Sequence, residues 1–305
     1  MLFPSPLHNN SKIGLIAPSS PLMPEKLIKC IEIITSFGYE VVLGKSAFQS
    51  YHGYLAGSDE IRANDINDMF KNPEIDAIFC IRGGYGSTRL MKMIDYKLIH
   101  NHPKIFVGYS DITALHLAFH RLSHLVTFHG PMVSSNMISS FDTYSYHSLF
   151  HALSMPSMIE YKNPLHFPLL PLVPGRAKGR IIGGCLSLVA PSIGTFYQPD
   201  FRDTILFLED VDESLPRCDK LMQQLKNSGI LSQINGILLG NFTACTNQYD
   251  PSYTMFHYFT DFFKDYNKPV IWGIQSGHGK PMATIPLGSL CTFDTNSMSI
   301  QFHYC

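Results

Sequence analysis

The sequence predicts an α/β protein in two parts: an N-terminal domain built on a parallel sheet, and a smaller, strand-rich C-terminal domain of mixed α+β type. Three observations lead there. Through the first half of the 305 residues, short apolar runs alternate with segments of helical period over short connections, the pattern of a parallel sheet with helices on both faces. A stretch without a clean period, SMPSMIEYKNPLHFPLLPLVPG, then carries Pro156, Pro164, Pro168, Pro171 and Pro174 and reads as a linker. Beyond it, strand-like runs outnumber helical ones. The length is also large for a single core. The expected domains are residues 1–165 and 166–305, with the boundary near residue 165.

The elements follow in order. Residues 12–17, KIGLIA, form a short apolar run stopped by Pro18 and read as a buried strand. In PEKLIKCIEIITSFG, Leu27, Ile28, Ile31, Ile34 and Phe37 recur near helical spacing, and Gly38 supplies a C-terminal cap. YEVVLG is a second strand. SDEIRANDINDMFKN is a helix with Ser58 as N-cap and acids in its first turn, where the helix dipole favours them. IDAIFCI, KIFVGY and LVTFHG are the third, fourth and fifth strands. In the second part GRII, TILFLED, INGILLGNF, PVIWGI, SLCTFD and SMSIQFHY read as strands, with helices over residues 217–227 and 255–266. In parallel α/β sheets the site lies at the carboxyl ends of the strands. Residues 82–87 (RGGYGS) and the pair Ser110–Asp111 both occupy such ends.

Composition narrows the class. Hydrophobic residues make up 45% and charged residues 15%, which argues against disorder. Lys+Arg is 23 and Asp+Glu 24, with no basic stripe, so nucleic acid is not an expected partner. None of the seven cysteines forms a C-x-x-C pair, so neither a zinc knuckle nor a redox motif is signalled, and free thiols in a reducing cytosol fit best. No apolar stretch reaches about 18 residues, so no membrane span is expected. MLFPSPLHNN lacks the basic and apolar regions of a signal peptide. The chain reads as a soluble cytoplasmic protein.

Several residues are candidates for chemistry. Ser110 stands where a strand meets a helix, so its hydroxyl is either a nucleophile on a sharp elbow or a helix cap, a role open to Asp111 too. The elbow departs from G-x-S-x-G, with Ile112 in place of the second glycine. The glycine pair of IRGGYGSTRLM allows close backbone approach, suited to an oxyanion hole or a tight turn, and matches no nucleotide-binding pattern. Glu209, ending TILFLED, either orients an imidazole or is a solvated strand end. His278 sits between Gly277 and Gly279 in a loop. His116 and His120 are spaced i, i+4 but lack the glutamate of H-E-x-x-H, so they read as helix-face histidines. Cys185, in IIGGCLSL, reads as a small buried thiol.

From IGLIAPSS to TIPLG the chain resembles the LD-carboxypeptidases, the muramoyltetrapeptide carboxypeptidase family. The motifs that carry the resemblance are GYLAGSDE, DAIFCIRGGYGSTRL, PKIFVGYSDITALHLAF, TFHGPM, FLEDVDE and GHGKP…IPLG, in that order. The resemblance implies a first domain of the flavodoxin or class I amidotransferase kind. It implies a serine peptidase with Ser110 as nucleophile, Glu209 as carboxylate and His278 as base, the last two from the second domain. Backbone N–H groups of Gly84 and Asp111 would form the oxyanion hole, with Gly83 as the alternative to Gly84. The implied substrate is a murein tetrapeptide, cleaved between the L-centre of a diamino acid and terminal D-alanine. No metal or cofactor is implied. A homodimer is, and the aromatic run HYFTDFF is one candidate for its interface. Arg82 and Arg89 flank the glycine loop and are candidates for the substrate carboxylate by position. Where the family usually has asparagine after a glycine pair, this chain has Cys185. Two other readings stand beside the first. One is a self-immunity peptidase acting on an aminoacyl-nucleotide antibiotic, typically with an aromatic-bearing loop over the site. The only tryptophan here, Trp272, lies instead on a strand. The other is a non-catalytic ligand-binding protein on the same scaffold.

Overall fold

The computed structural model describes residues 1–304. In chain order the strands are β1 (Lys12–Ile16), β2 (Glu40–Leu43), β3 (Ala77–Cys80), β4 (Ile105–Gly108), β5 (Thr127–His129), β6 (Met158–Tyr161), β7 (Leu170–Val173), β8 (Arg176–Cys185), β9 (Thr204–Val211), β10 (Gly236–Thr243), β11 (Val270–Trp272), β12 (Ile285–Leu287), β13 (Leu290–Asp294) and β14 (Ser299–His303). They form a six-stranded sheet, ordered β12-β5-β4-β3-β1-β2, and an eight-stranded sheet, ordered β6-β14-β13-β8-β9-β10-β11-β7.

In the first sheet β1 to β5 are all parallel, in the order 2-1-3-4-5 of flavodoxin-like folds. Side chains alternate between its faces. Ile13, Leu15, Ala77 and Phe79 pack one way with Leu27, Cys30 and Ile34 of helix Pro24–Ser36. Ile16, Ile78 and Phe106 pack the other way with Ile66, Met69 and Phe70 of helix Asp59–Lys71. The Ser58 hydroxyl caps the latter helix, accepting from Ile61 N–H at 3.3 Å. The second sheet is parallel across β8, β9, β10 and β11 and antiparallel towards both edges. The two helices expected there form as Leu215–Asn227 and Met255–Phe262.

Three features depart from the sequence reading. The proline-dense stretch is not a structureless linker, because β6 and β7 lie within it as the two edge strands of the second sheet. Pro171 is tolerated on β7, where one side of the strand has no neighbour that needs its N–H. Helix Thr143–Leu153, capped by Asp142, precedes that stretch. The third is β12, which runs antiparallel to β5, Ile285 opposite His129 and Leu287 opposite Thr127, and so closes the edge of the first sheet. The segment between β11 and β12, which carries His278, therefore leaves one sheet and enters the other. In the aromatic run HYFTDFF, Tyr258, Phe259 and Phe263 are buried in the core of the second sheet.

Candidate active site

Ser110 begins a 3₁₀ turn, Ser110–Ile112, just past β4, which runs into helix Thr113–Ala118. Its φ is 63°, a left-handed conformation that costs a non-glycine residue about 1–2 kcal/mol. The turn and helix carry no side-chain cap hydrogen bond, so neither Ser110 nor Asp111 serves as N-cap. Asp111 does something else. Its buried Oδ2 accepts from Ser19 Oγ at 2.6 Å and from Ser87 N–H at 2.8 Å, while its carbonyl accepts from Ser87 Oγ at 2.6 Å. One residue thus ties together the loops after β1, β3 and β4, the switch region of this sheet order.

Glu209 is fully buried near the end of β9, opposite Cys185 of β8. His278 Nδ1 lies 2.7 Å from Glu209 Oε2. A carboxylate can only accept, so Nδ1–H donates and the lone pair is left on Nε2. Burial pushes the Glu209 carboxyl up, against the pull of His278. At His278 burial acts downward, but the charge and hydrogen bond of Glu209 outweigh it, and the net shift is upward. The close approach needs a glycine before the histidine: Gly277 has φ +118°, and a Cβ there would meet the Glu209 side chain.

Tyr109 connects the two halves. Its ring packs edge-to-face on the His278 imidazole, centroids 4.9 Å apart. Behind Tyr109 lies His129, wedged between it and Phe207 at centroid distances of 5.8 and 5.1 Å. Neither ring nitrogen of His129 has a hydrogen-bond partner among the described residues, and burial drives its pKa well down, so the ring is neutral. Thr113 Oγ1 accepts from Cys185 N–H at 3.0 Å, docking the helix after Ser110 on the strand end beside Glu209.

Of the glycine pair, Gly83 faces the serine: a Cβ there would lie 3.1 Å from Ser110 Cβ and 3.3 Å from its Oγ. Gly84, at φ +116°, faces Ser20 instead. Arg82 donates to the Pro21 carbonyl at 3.2 Å. Arg89 is held away by Asp59, whose carboxylate takes both its Nε and Nη2. The Cys185 thiol is buried against Asp210 and Ser187, and burial raises its pKa well above the usual thiol value. His116 is satisfied inside the core, with Thr127 Oγ1 and the Gly108 carbonyl each 2.8 Å from a ring nitrogen. A serine in a strained elbow, an imidazole packed on the residue before that serine, and a buried carboxylate bonded to the imidazole are the groups that acyl transfer requires.

Two family models match the chain, the LD-carboxypeptidase N-terminal domain over residues 13–130 and the LD-carboxypeptidase C-terminal domain over residues 178–293. The chain belongs to the LD-carboxypeptidase family. A family relative, the probable murein peptide carboxypeptidase of Bacillus subtilis, is 38% identical, the match covering 96% of this chain and 91% of the relative. The solved muramoyltetrapeptide carboxypeptidase of Oxalobacter formigenes superposes with a TM-score of 0.84 at 27% identity, covering 96% and 98% of the two chains. The microcin C7 self-immunity protein MccF of Escherichia coli is 27% identical, over 99% of this chain and 96% of its own. Its ligand-free structure superposes with a TM-score of 0.93 at 25% identity, covering 100% and 99%.

Tyr109, His129 and the Asp111 carboxylate were not singled out for these places by sequence. His129, in TFHGPM at the end of β5, carried a usable signal: a histidine at the carboxyl end of a parallel strand.

Proposed function

We propose that the chain is a serine carboxypeptidase that hydrolyses the bond between the L-centre of a diamino acid and the terminal D-alanine of a murein tetrapeptide. The observation that carries this is the 2.7 Å contact of His278 Nδ1 with buried Glu209, on an imidazole that packs against the residue preceding Ser110. The substrate class rests on family membership and on the names of the relatives. The two-domain frame is common to murein peptidase and self-immunity relatives, so the reading leans on sequence identity, which is higher to the Bacillus protein.

In the proposed reaction His278 Nε2 takes the Ser110 proton as Oγ attacks the carbonyl. The tetrahedral oxyanion is met by backbone N–H groups, that of Asp111 and one from the Gly83–Gly84 pair. Collapse breaks the C–N bond, and His278 returns the proton to the leaving amine of D-alanine. Water, deprotonated by the same imidazole, then releases the peptide from Ser110. Glu209 holds the tautomer and stabilises the imidazolium without taking a proton itself. We further propose that the two domains divide ahead of β6, rather than near residue 165, because Met158–Tyr161 already pairs in the second sheet, and that the protein is a cytoplasmic enzyme and a homodimer. Light scattering should give about twice the monomer mass of 34.3 kDa, and a monomer at all concentrations would remove the dimer.

The test of function is incubation with murein tetrapeptide and mass analysis. Loss of one alanine is expected, with no loss from the L-alanine epimer or from the Ser110→Ala variant. Equal turnover of both epimers would leave only an unspecified serine hydrolase.

A further inference from the structure

Beside the glycine loop lies a cavity of about 450 Å³ that the proposed chemistry does not use. Lys26 and Lys29 of helix Pro24–Ser36 line it, together with Arg82 and the hydroxyl-bearing Ser134, Ser135 and Ser139. Among the described residues the only other one lining it is Ile138, so three cations and three hydroxyls meet with no carboxylate among those residues. None of the three cations pairs with an acid among the described residues, whereas Arg62, Arg89, Arg176, Arg202 and Arg217 all do. Arg82 is half-buried and held by the Pro21 carbonyl, so its position is fixed in advance.

Like charges gathered from two separate elements repel one another and destabilise the free protein slightly. An anion entering the cavity relieves that repulsion and gains charge-assisted hydrogen bonds to arginine, lysine and serine. The location says which anion. Arg82 directly precedes Gly83, the residue in contact with Ser110, and Ser134 N–H donates to the Ile81 carbonyl at 2.9 Å. The cavity is thus lined by the residue directly before the glycine that faces the nucleophile.

We propose that this cavity is an anion subsite that receives a carboxylate of the peptide substrate and holds the peptide in register for attack at Ser110. The proposal rests on the murein-peptide reading for the identity of its ligand. Two sources of that carboxylate exist: the free C-terminus on the leaving side, and acidic groups on the acyl side. The occupant leaves unchanged and takes no part in proton transfer.

The test is Lys26→Ala/Lys29→Ala, assayed on the tetrapeptide, on its C-terminal amide, and on a tetrapeptide with its other carboxylates amidated. Removal of two charge-assisted contacts should raise KM for the unmodified peptide about tenfold or more while kcat stays within about twofold. The amidated form on which the variant and the parent enzyme no longer differ identifies the carboxylate bound. A parent-like KM on the unmodified peptide overturns the subsite, as does an equal rise on all three peptides, which is general electrostatic steering. A separate arm uses inorganic phosphate and calorimetry. Binding to the parent and loss in the double variant supports the cavity even if no murein peptide is cleaved, an outcome that would fault the function and not the subsite. Equal phosphate binding by both proteins overturns it.

Discussion

A Cβ on Gly277 would lie 2.5 Å from Glu209 Oε2 and 2.8 Å from Glu209 Cβ. The backbone before His278 is pressed directly on the carboxylate that orients it. Gly277→Ala should therefore move the imidazole or the carboxylate. A displacement of about 1 Å costs on the order of 10² in rate, so kcat/KM should fall at least that far with the circular dichroism spectrum unchanged. Parent-like turnover would mean that this contact does not hold the site.

The pH profile has a defined sign. In the proposed mechanism His278 must be neutral to accept the Ser110 proton, and its pKa is raised above the ordinary 6.5 by Glu209 despite burial. The acid limb of kcat/KM should accordingly lie above pH 6.5. Glu209→Gln removes the strongest upward influence and leaves burial opposed only by the charges of Asp210 and Asp212, so the limb should move to lower pH while kcat drops by about 10²–10⁴. A limb that stays in place would assign it to another group.

Thiol chemistry should leave the enzyme working. Six cysteines are free and buried, Cys185 among them, and burial holds that thiol far from its reactive thiolate form. Treatment of the native protein with iodoacetamide should leave most activity. Inactivation prevented by substrate and abolished in Cys185→Ser would overturn the serine assignment.

Asp111→Ala leaves Ser19 Oγ and Ser87 N–H without their acceptor, at a cost of about 1–3 kcal/mol. Because the same carboxylate joins three strand ends, the loss should reach catalysis as well as folding. Expected are a Tm lower by a few degrees and a reduced kcat/KM, with Asp111→Asn retaining part of both. An unchanged Tm would show that the loops are held by other contacts.

The first sheet was readable because each of its parallel strands is a short apolar run that ends abruptly, as at Pro18 after β1 or at Ser110 after β4. What escaped were the edges. β6, β7 and β12 are short strands at or beside prolines, and hydrophobic period says little where one side of a strand has no neighbour to pair with. At the site, strand ends drew attention to Ser110 and Glu209 and flanking glycines to His278, while resemblance assigned the three their roles. The place of Asp111 was beyond reach of either. Which loops stand beside an elbow depends on strand order, and the 2-1-3-4-5 order is set by packing that local pattern does not encode. Arg89 illustrates the converse: its position in sequence suggested substrate, and an acid thirty residues earlier, Asp59, claims it.

The antiparallel pairing of β12 with β5 bears on synthesis of the chain at the ribosome. β1 to β5 emerge first and can pair among themselves, but the outer edge of β5 stays bare until Ile285–Leu287 has been made. An unpaired edge invites wrong partners. The nascent N-terminal half thus carries an unpaired edge until β12 is made, and it already displays Ser110. On the proposed mechanism it is inert all the same, since the imidazole that would activate the serine arrives on the same segment that seals the edge. Completion of the sheet and acquisition of the base are one event in time, and a translation product stalled before it would be both sticky and inert.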